Sequence, residues 1–224
     1  VKLALFDLDG TLLPTDSDHA FGEFMVRIGW VDGQAWRDRN DHFYAQYQAG
    51  TLDLAEYLDF ATSAWRDRPP AEAEAARERF LREVIEPQLR PSARALVAAH
   101  RDAGDLVAIV TATNEFVTAP IARAFGVPHL LAVELERDGQ GRATGRARGV
   151  PTFREGKVTR VEAWLRSLQR AWADFDDVLF YSDSTNDLPL LERVATPVAT
   201  NPTPALEAIA AERGWRILRL FETP

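Results

Sequence analysis

Three short apolar runs, each closing on oxygen-bearing side chains, constrain this chain more than any other feature. "LALFDLDGT" runs from Leu3 to Thr11, "DLVAIVTATN" from Asp105 to Asn114, and "DVLFYSDSTND" from Asp177 to Asp187. Apolar runs this short and continuous read as strands buried on both faces. The segments between them space their apolar residues three and four apart, as helices do. "PSARALVAAHRDAG", "EFVTAPIARAFGV" (Pro120 placed near its first turns), "KVTRVEAWLRSLQRAW", "DLPLLERV" and "TPALEAIAAERG" are the predicted helices. "ATPVAT" and "WRILRL" add two strands, and "HLLAVELERDGQGRATGRARGV" reads as short strands around a glycine-rich hairpin. The alternation predicts an α/β chain: a Rossmann-like parallel sheet flanked by helices.

Between the first and second strands the character changes. "DHAFGEFMVRIG", "GQAWRDRNDHFYAQYQAG", "LAEYLDFATSAW" and "EAEAARERFLREVIE" all carry helical spacing, with Gly50, Pro69, Pro70 and Pro87 as punctuation. The expected division is a helical cap over 16–87, inserted after the first strand, and a catalytic core over 1–15 and 88–224. The aromatic residues of the insert, Phe21, Phe24, Trp30, Trp36, Phe43, Tyr44 and Tyr47, read mostly as its core.

Composition narrows the function classes. The net charge of −8 and the lack of a basic tract disfavour nucleic acid and anionic membrane surfaces as partners. The opening apolar run is too short to span a bilayer and lacks the pattern of a signal peptide, so a cytoplasmic protein, monomer or homodimer, is expected. There is no Cys, which removes thiol chemistry. The only lysines are Lys2 and Lys157, in a chain that otherwise uses Arg.

In open parallel sheets, ligands sit beyond the carboxyl ends of the strands. There the three runs would gather Asp7 and Asp9, Thr111, Thr113 and Asn114, and Asp183 and Asp187. Four carboxylates in one crevice repel one another unless a cation neutralises them. An all-oxygen donor set points to a hard ion, most simply Mg²⁺. Each piece also has a plainer reading. "DLDG" makes an ordinary Asp-Gly turn, and its glycine sits at the wrong place for an EF-hand loop. "TAT" suits a structural strand end, Asp187 suits a helix N-cap, and Lys157 suits a solvated helix start. The joint occurrence at three strand ends favours a site.

"DLDGT", "IVTAT", "GK" before a helix and "SDSTND" together resemble the four motifs of the haloacid-dehalogenase-like (HAD) hydrolases. The helical insert resembles the C1 cap of the phosphoserine-phosphatase-like subclass, IB, which also holds histidinol-phosphatase-like enzymes. The resemblance spans nearly the whole chain. It implies a phosphatase in which Asp7 is the nucleophile and Asp9 the general acid and base. Mg²⁺ would be held by Asp7, Asp183 and the backbone carbonyl of Asp9. Thr111, Ala112 and Lys157 would bind the phosphoryl group, with Asp187 orienting Lys157 or a metal-bound water. Asp9 favours phosphoryl transfer over dehalogenation, since halide departure needs no proton. The substrate would be a small phosphate monoester, an amino-acid or amino-alcohol phosphate such as histidinol phosphate or phosphoserine. A phosphomutase, or a non-catalytic binder of Mg²⁺ or phosphometabolites, stays open. Two departures, Ser182 in place of a glycine and "TATN" in place of serine with glycines, put phosphoserine in doubt. Specificity would come from Asp16, Asp18, Asn114 and Arg39. The simpler reading of Asp16 or Ser17 is the next helix's N-cap, and that of Arg37, Arg39, Asn40 and His42 a solvated helix face.

Overall fold

The computed structural model describes residues 1–221; the last three positions of the expected core, 222–224, lie outside the described residues. Its centre is a six-stranded parallel sheet in the order β3-β2-β1-β6-β7-β8. The strands are β1 (Leu3–Phe6), β2 (Leu106–Asn114), β3 (His129–Val133), β6 (Val178–Ser182), β7 (Thr196–Thr200) and β8 (Arg216–Leu218). β1 lies between β2 and β6, with Phe6 opposite Ile109 on one side and Tyr181 on the other. That register sets Asp7, the end of β2 and Ser182–Asp183 side by side at one edge. It is also where the strand order reverses, the usual ligand crevice of such sheets.

The region read as short strands around a glycine-rich hairpin divides in two. "HLLAV" joins the parallel sheet as edge strand β3. Only β4 (Leu135–Arg137) and β5 (Ala143–Ala147) form the antiparallel pair. Over residues 16–87 the chain forms α1 (Ser17–Arg27), α2 (Gly33–Ala49), α3 (Leu54–Ser63) and α4 (Pro70–Phe80). A wide helical turn over Leu81–Ile85 follows α4. α5 (Pro91–Asp102), α6 (Glu115–Ala124), α7 (Glu155–Ser167), α8 (Leu188–Leu191) and α9 (Pro204–Arg213) complete the chain. Pro120 lies mid-helix in α6 rather than in its first turn.

Strand alternation sends side chains to two separate cores. Leu3, Leu5 and Phe180 face one cluster, which α7 completes with Val161 and Leu165. Ala4, Phe6 and Tyr181 face the other, where Phe21, Phe24, Trp65 and Phe80 of the helical insert join Val107, Phe116 and Val133. Trp65 stacks on Phe116 with ring centroids 3.9 Å apart.

Candidate active site

Asp7 follows the last residue of β1, and its backbone N–H donates to the Tyr181 carbonyl at 2.9 Å, so the strand ladder fixes where its carboxylate stands. Lys157 reaches it from α7. Lys157, Val161 and Leu165 recur every fourth residue, on one stripe of that helix. Packing Val161 and Leu165 against the sheet therefore carries Lys157 to the sheet's edge. Gly156 permits the approach, since a Cβ there would stand 2.0 Å from the Pro151 carbonyl oxygen. Lys157 is 1% exposed, which overturns its reading as a solvated helix start. Its ammonium donates to Asp7 at 2.9 Å and to Asp187 at 2.7 Å. Burial alone would lower its pKa, but the charges of Asp187 and Asp7 hold it at about 12.

Asp187 occupies the N-cap position of α8, yet its side chain makes no capping bond. The carboxylate is drawn inward to Lys157 and accepts from the Ser182 hydroxyl at 2.7 Å. An ammonium and a buried hydroxyl satisfy it better than a helix N–H would. Ser184 does the local capping instead, accepting from the Asn186 N–H. Ser182 is fully buried behind this pair and does not line the cavity, so that departure bears on Asp187 and not on a substrate.

The turn after β1 brings in the remaining carboxylates. Gly10 has φ +76°, and a Cβ there would stand 2.3 Å from Asp183 Oδ2. The turn thus needs glycine for its conformation and for its approach to Asp183. Thr11 donates to Asp183 at 3.1 Å. The Asn201 amide donates to the Gly10 and Thr11 carbonyls at 3.2 and 3.0 Å, bracing the turn from the end of β7. Asp9 accepts from the Ser17 N–H at 2.7 Å and the Thr113 hydroxyl at 2.9 Å. Burial and the repulsion of Asp187 and Asp9, opposed by Lys157, push Asp7 up to about 7. Burial and the charge of Asp16 push Asp9 up to about 7. Asp183 moves upward through burial and the charges of Asp7 and Asp187.

Asp7 and Asp9 open onto a cavity of about 530 Å³, whose floor also includes Thr111, Ala112 and Thr113. Asp16, Asp18, His19, Asn40, Phe43, Tyr44, Tyr47 and Tyr57 of the insert enclose it. Asp16 lines the cavity and also caps α1, accepting from the His19 N–H at 2.8 Å. Asn114 caps α6 through Val117 and donates to Asp18 at 3.3 Å, so it is a partner of Asp18 and not part of the wall. Arg39 is not brought in: its guanidinium lies over the Phe43 and Phe60 rings and pairs with Glu56. Arg37 pairs with Glu23, and His42 is exposed, as a solvated face would have them. Asn40 departs from that face, being buried with its amide on the His19 carbonyl at 3.0 Å.

Phe43, Tyr44 and Tyr47 are cavity wall, not simply cap core. Tyr57, Phe153, Thr11 and Asn201 escaped the sequence reading. Only Thr11, as the last letter of "DLDGT", carried a local signal.

Whether this site suits a divalent ion is a question of donor chemistry. Asp7 Oδ2 is buried with no hydrogen-bond partner, and Asp183 is close enough for the charge of Asp7 to raise its pKa. Two crowded oxygen donors with an unsatisfied lone pair fit a hard cation. Among the described residues no cluster of three or more Asp, Glu, His or Cys side chains is arranged to hold a metal unaided. An ion here would therefore keep waters or substrate oxygens among its ligands, as Mg²⁺ commonly does.

Among the described residues no helix is long and apolar enough to cross a membrane. A protein of unknown function from Bordetella pertussis has a similar solved structure, 50% identical, with TM-score 0.93 and coverage of 98% of this chain and 99% of that one. A substrate-bound phosphoserine phosphatase shares the fold at 18% identity and TM-score 0.69, covering 97% and 92% of the two chains. A histidinol-phosphatase of Neisseria meningitidis is 40% identical over 217 residues, 97% of this chain and 98% of its own. The sequence profile of haloacid dehalogenase-like hydrolases matches residues 4–192, and the chain belongs to that family.

Proposed function

We propose that this protein is a Mg²⁺-dependent phosphomonoesterase working through an aspartyl-phosphate on Asp7. The observation that carries the proposal is the buried Asp7–Lys157–Asp187 chain, with Asp9 lining the same cavity as Asp7. Lys157 favours the ionised form of the buried Asp7 carboxylate and aims it, as a nucleophile needs. Attack of Asp7 on phosphorus breaks the bond to the leaving oxygen, and Asp9 supplies that oxygen's proton. A pKa near 7 suits a group that gives a proton in one half-reaction and takes one from water in the next. The Ser17 N–H and the Thr113 hydroxyl hold Asp9 in one orientation for both steps. Thr111 and the backbone around Ala112 lie at the cavity floor, where phosphoryl oxygens would be received. Asp7, Asp183 and the Asp9 carbonyl would hold Mg²⁺, whose charge would offset repulsion between an anionic nucleophile and a phosphate.

The family and the relative named histidinol-phosphatase support hydrolysis, and support a small amino-alcohol or amino-acid phosphate as substrate. The cap over 16–87 is the proposed source of selectivity. The test is phosphate release from p-nitrophenyl phosphate. Release should need Mg²⁺, stop with EDTA and fall at least about 1000-fold in Asp7→Asn. Undiminished turnover in that variant would remove Asp7 from the reaction, and transfer to a sugar phosphate outrunning hydrolysis would make the protein a mutase.

A further inference from the structure

The wall of the cavity that carries Asp16 and Asp18 has a chemistry that selects among phosphate esters. Asp18 lies in the first turn of α1 and is 7% exposed. Its Oδ1 accepts from Asn114 Nδ2 at 3.3 Å, while its Oδ2 is buried with no hydrogen-bond partner. The Tyr57 hydroxyl lies beside it and favours its charged form. A buried carboxylate oxygen without a partner costs stability unless something else satisfies it. Asp18 stands on the wall of a cavity, so that partner can arrive from outside. Asp16 adds a second carboxylate to the same wall, and Phe43, Tyr44, Tyr47, Tyr57 and Phe153 surround the space with rings.

The basic groups nearby are all committed or absent from this wall. Among the described residues no Arg or Lys lines the cavity. Lys157 is held between Asp7 and Asp187, and Arg154 is turned to the Gly50 carbonyl. His19, a basic side chain on this wall, is tied through Nε2 to Asp41 at 2.7 Å. No uncommitted cation there would neutralise a substrate carboxylate, which would instead meet the charges of Asp16 and Asp18.

We infer that Asp18, positioned by Asn114 and Tyr57, is the receptor for a cationic nitrogen on the leaving group, and that the substrate is a phosphate ester of a cationic alcohol without a carboxylate. Flat or unsaturated cationic groups gain most, because rings on several sides attract positive charge as well as apolar surface. This inference rests on the phosphatase reading and chooses between the substrates that reading leaves open. It favours an amino-alcohol phosphate with an imidazole, such as histidinol phosphate, over phosphoserine.

A matched series isolates each feature. Ethyl phosphate has no amine, O-phosphoethanolamine adds one, O-phosphoserine adds a carboxylate to that, and histidinol phosphate carries an amine and an imidazole. With p-nitrophenyl phosphate as the generic control, kcat/KM should be highest for histidinol phosphate. O-Phosphoethanolamine should exceed O-phosphoserine by about 100-fold or more, because a carboxylate would lie unpaired against buried acids. Asp18→Asn should shrink the ratio of O-phosphoethanolamine to ethyl phosphate, and Asp18→Glu should restore part of it. Turnover of O-phosphoserine matching or exceeding that of O-phosphoethanolamine by the unaltered protein would overturn the inference, whether or not the Asp18 variants fold. Failure to hydrolyse p-nitrophenyl phosphate or any member of the series would instead overturn the phosphatase reading.

Discussion

At the scale of single residues, two buried charges behave in opposite ways. Lys157 has two carboxylate partners and stays charged; Asp18 has a neutral amide, a phenol and one bare oxygen. Truncating Lys157 would strand Asp7 and Asp187 without a counter-charge. Lys157→Ala should therefore lose about 3–5 kcal/mol of stability in urea unfolding at neutral pH, together with activity. Asp18 works against the fold at neutral pH. Burial, reinforced by the charge of Asp9, pushes its pKa up to about 7, from an ordinary value near 4. The folded state then binds the proton more tightly than the unfolded state, so stability falls as pH rises from about 4 to about 7 and levels off above that. Asp18→Asn removes this loss. Its thermal midpoint should exceed that of the unaltered protein at pH 8, and the gap should close by pH 4. A variant more stable at pH 8 yet poorer at choosing cationic esters would mark Asp18 as kept for function at the expense of stability. A gap independent of pH would mean that Asp18 has the same pKa in the folded and unfolded chains.

At the scale of elements, strand ends were easier to read than the faces of helices. "DLDGT" and "SDSTND" are local patterns at the close of buried runs, and parallel register alone brings them together. Asp187 was ambiguous because its deciding partner, Lys157, lies 30 residues earlier in the chain. The wall of the cavity was harder still. Helical spacing marks Phe43 and Tyr47 as inward-facing, but a face turned toward a cavity carries the same spacing as one turned toward a core. Tyr57 and Phe153 come to that wall from separate segments, which no local pattern could join. The same long-range logic governs the end of α2. Its last carbonyls are received by Arg154, three residues before Lys157, and by Asn186, next to Asp187. Asn186 donates to the Tyr47 carbonyl at 2.9 Å. A cation and an amide at a helix C-terminus stabilise its last carbonyls. Asn186→Ala should loosen this junction, seen as faster hydrogen exchange at the backbone amides of 47–51 and a higher KM. Unchanged exchange there would show that the contact contributes nothing to holding α2 over the site.

At the scale of the whole molecule, the helical insert and the sheet share more than a doorway. One hydrophobic cluster runs without a break from Phe21, Phe24, Leu58 and Phe80 into Phe6, Val107, Phe116 and Val133. Phe21 lies 4.9 Å from Phe80 and 6.2 Å from Phe116, centroid to centroid, and Trp65 stacks on Phe116. The insert also meets the hairpin, where Arg66, paired with Asp59, crowds Gly145 of β5. Units that bury their apolar faces against each other cannot unfold independently without exposing those faces to water, at roughly 25 cal/mol for each Å². The proposed division into 16–87 and the surrounding core should therefore describe function and not folding. Calorimetry of the whole chain should show one transition whose calorimetric and van't Hoff enthalpies agree. Trp65→Ala, which removes a large ring from the shared cluster, should lower that single transition by about 3–5 kcal/mol without splitting it. Two resolved transitions, with only one of them moved by Trp65→Ala, would mean that the helices α1–α4 fold as a unit and that the cluster is an interface between two bodies.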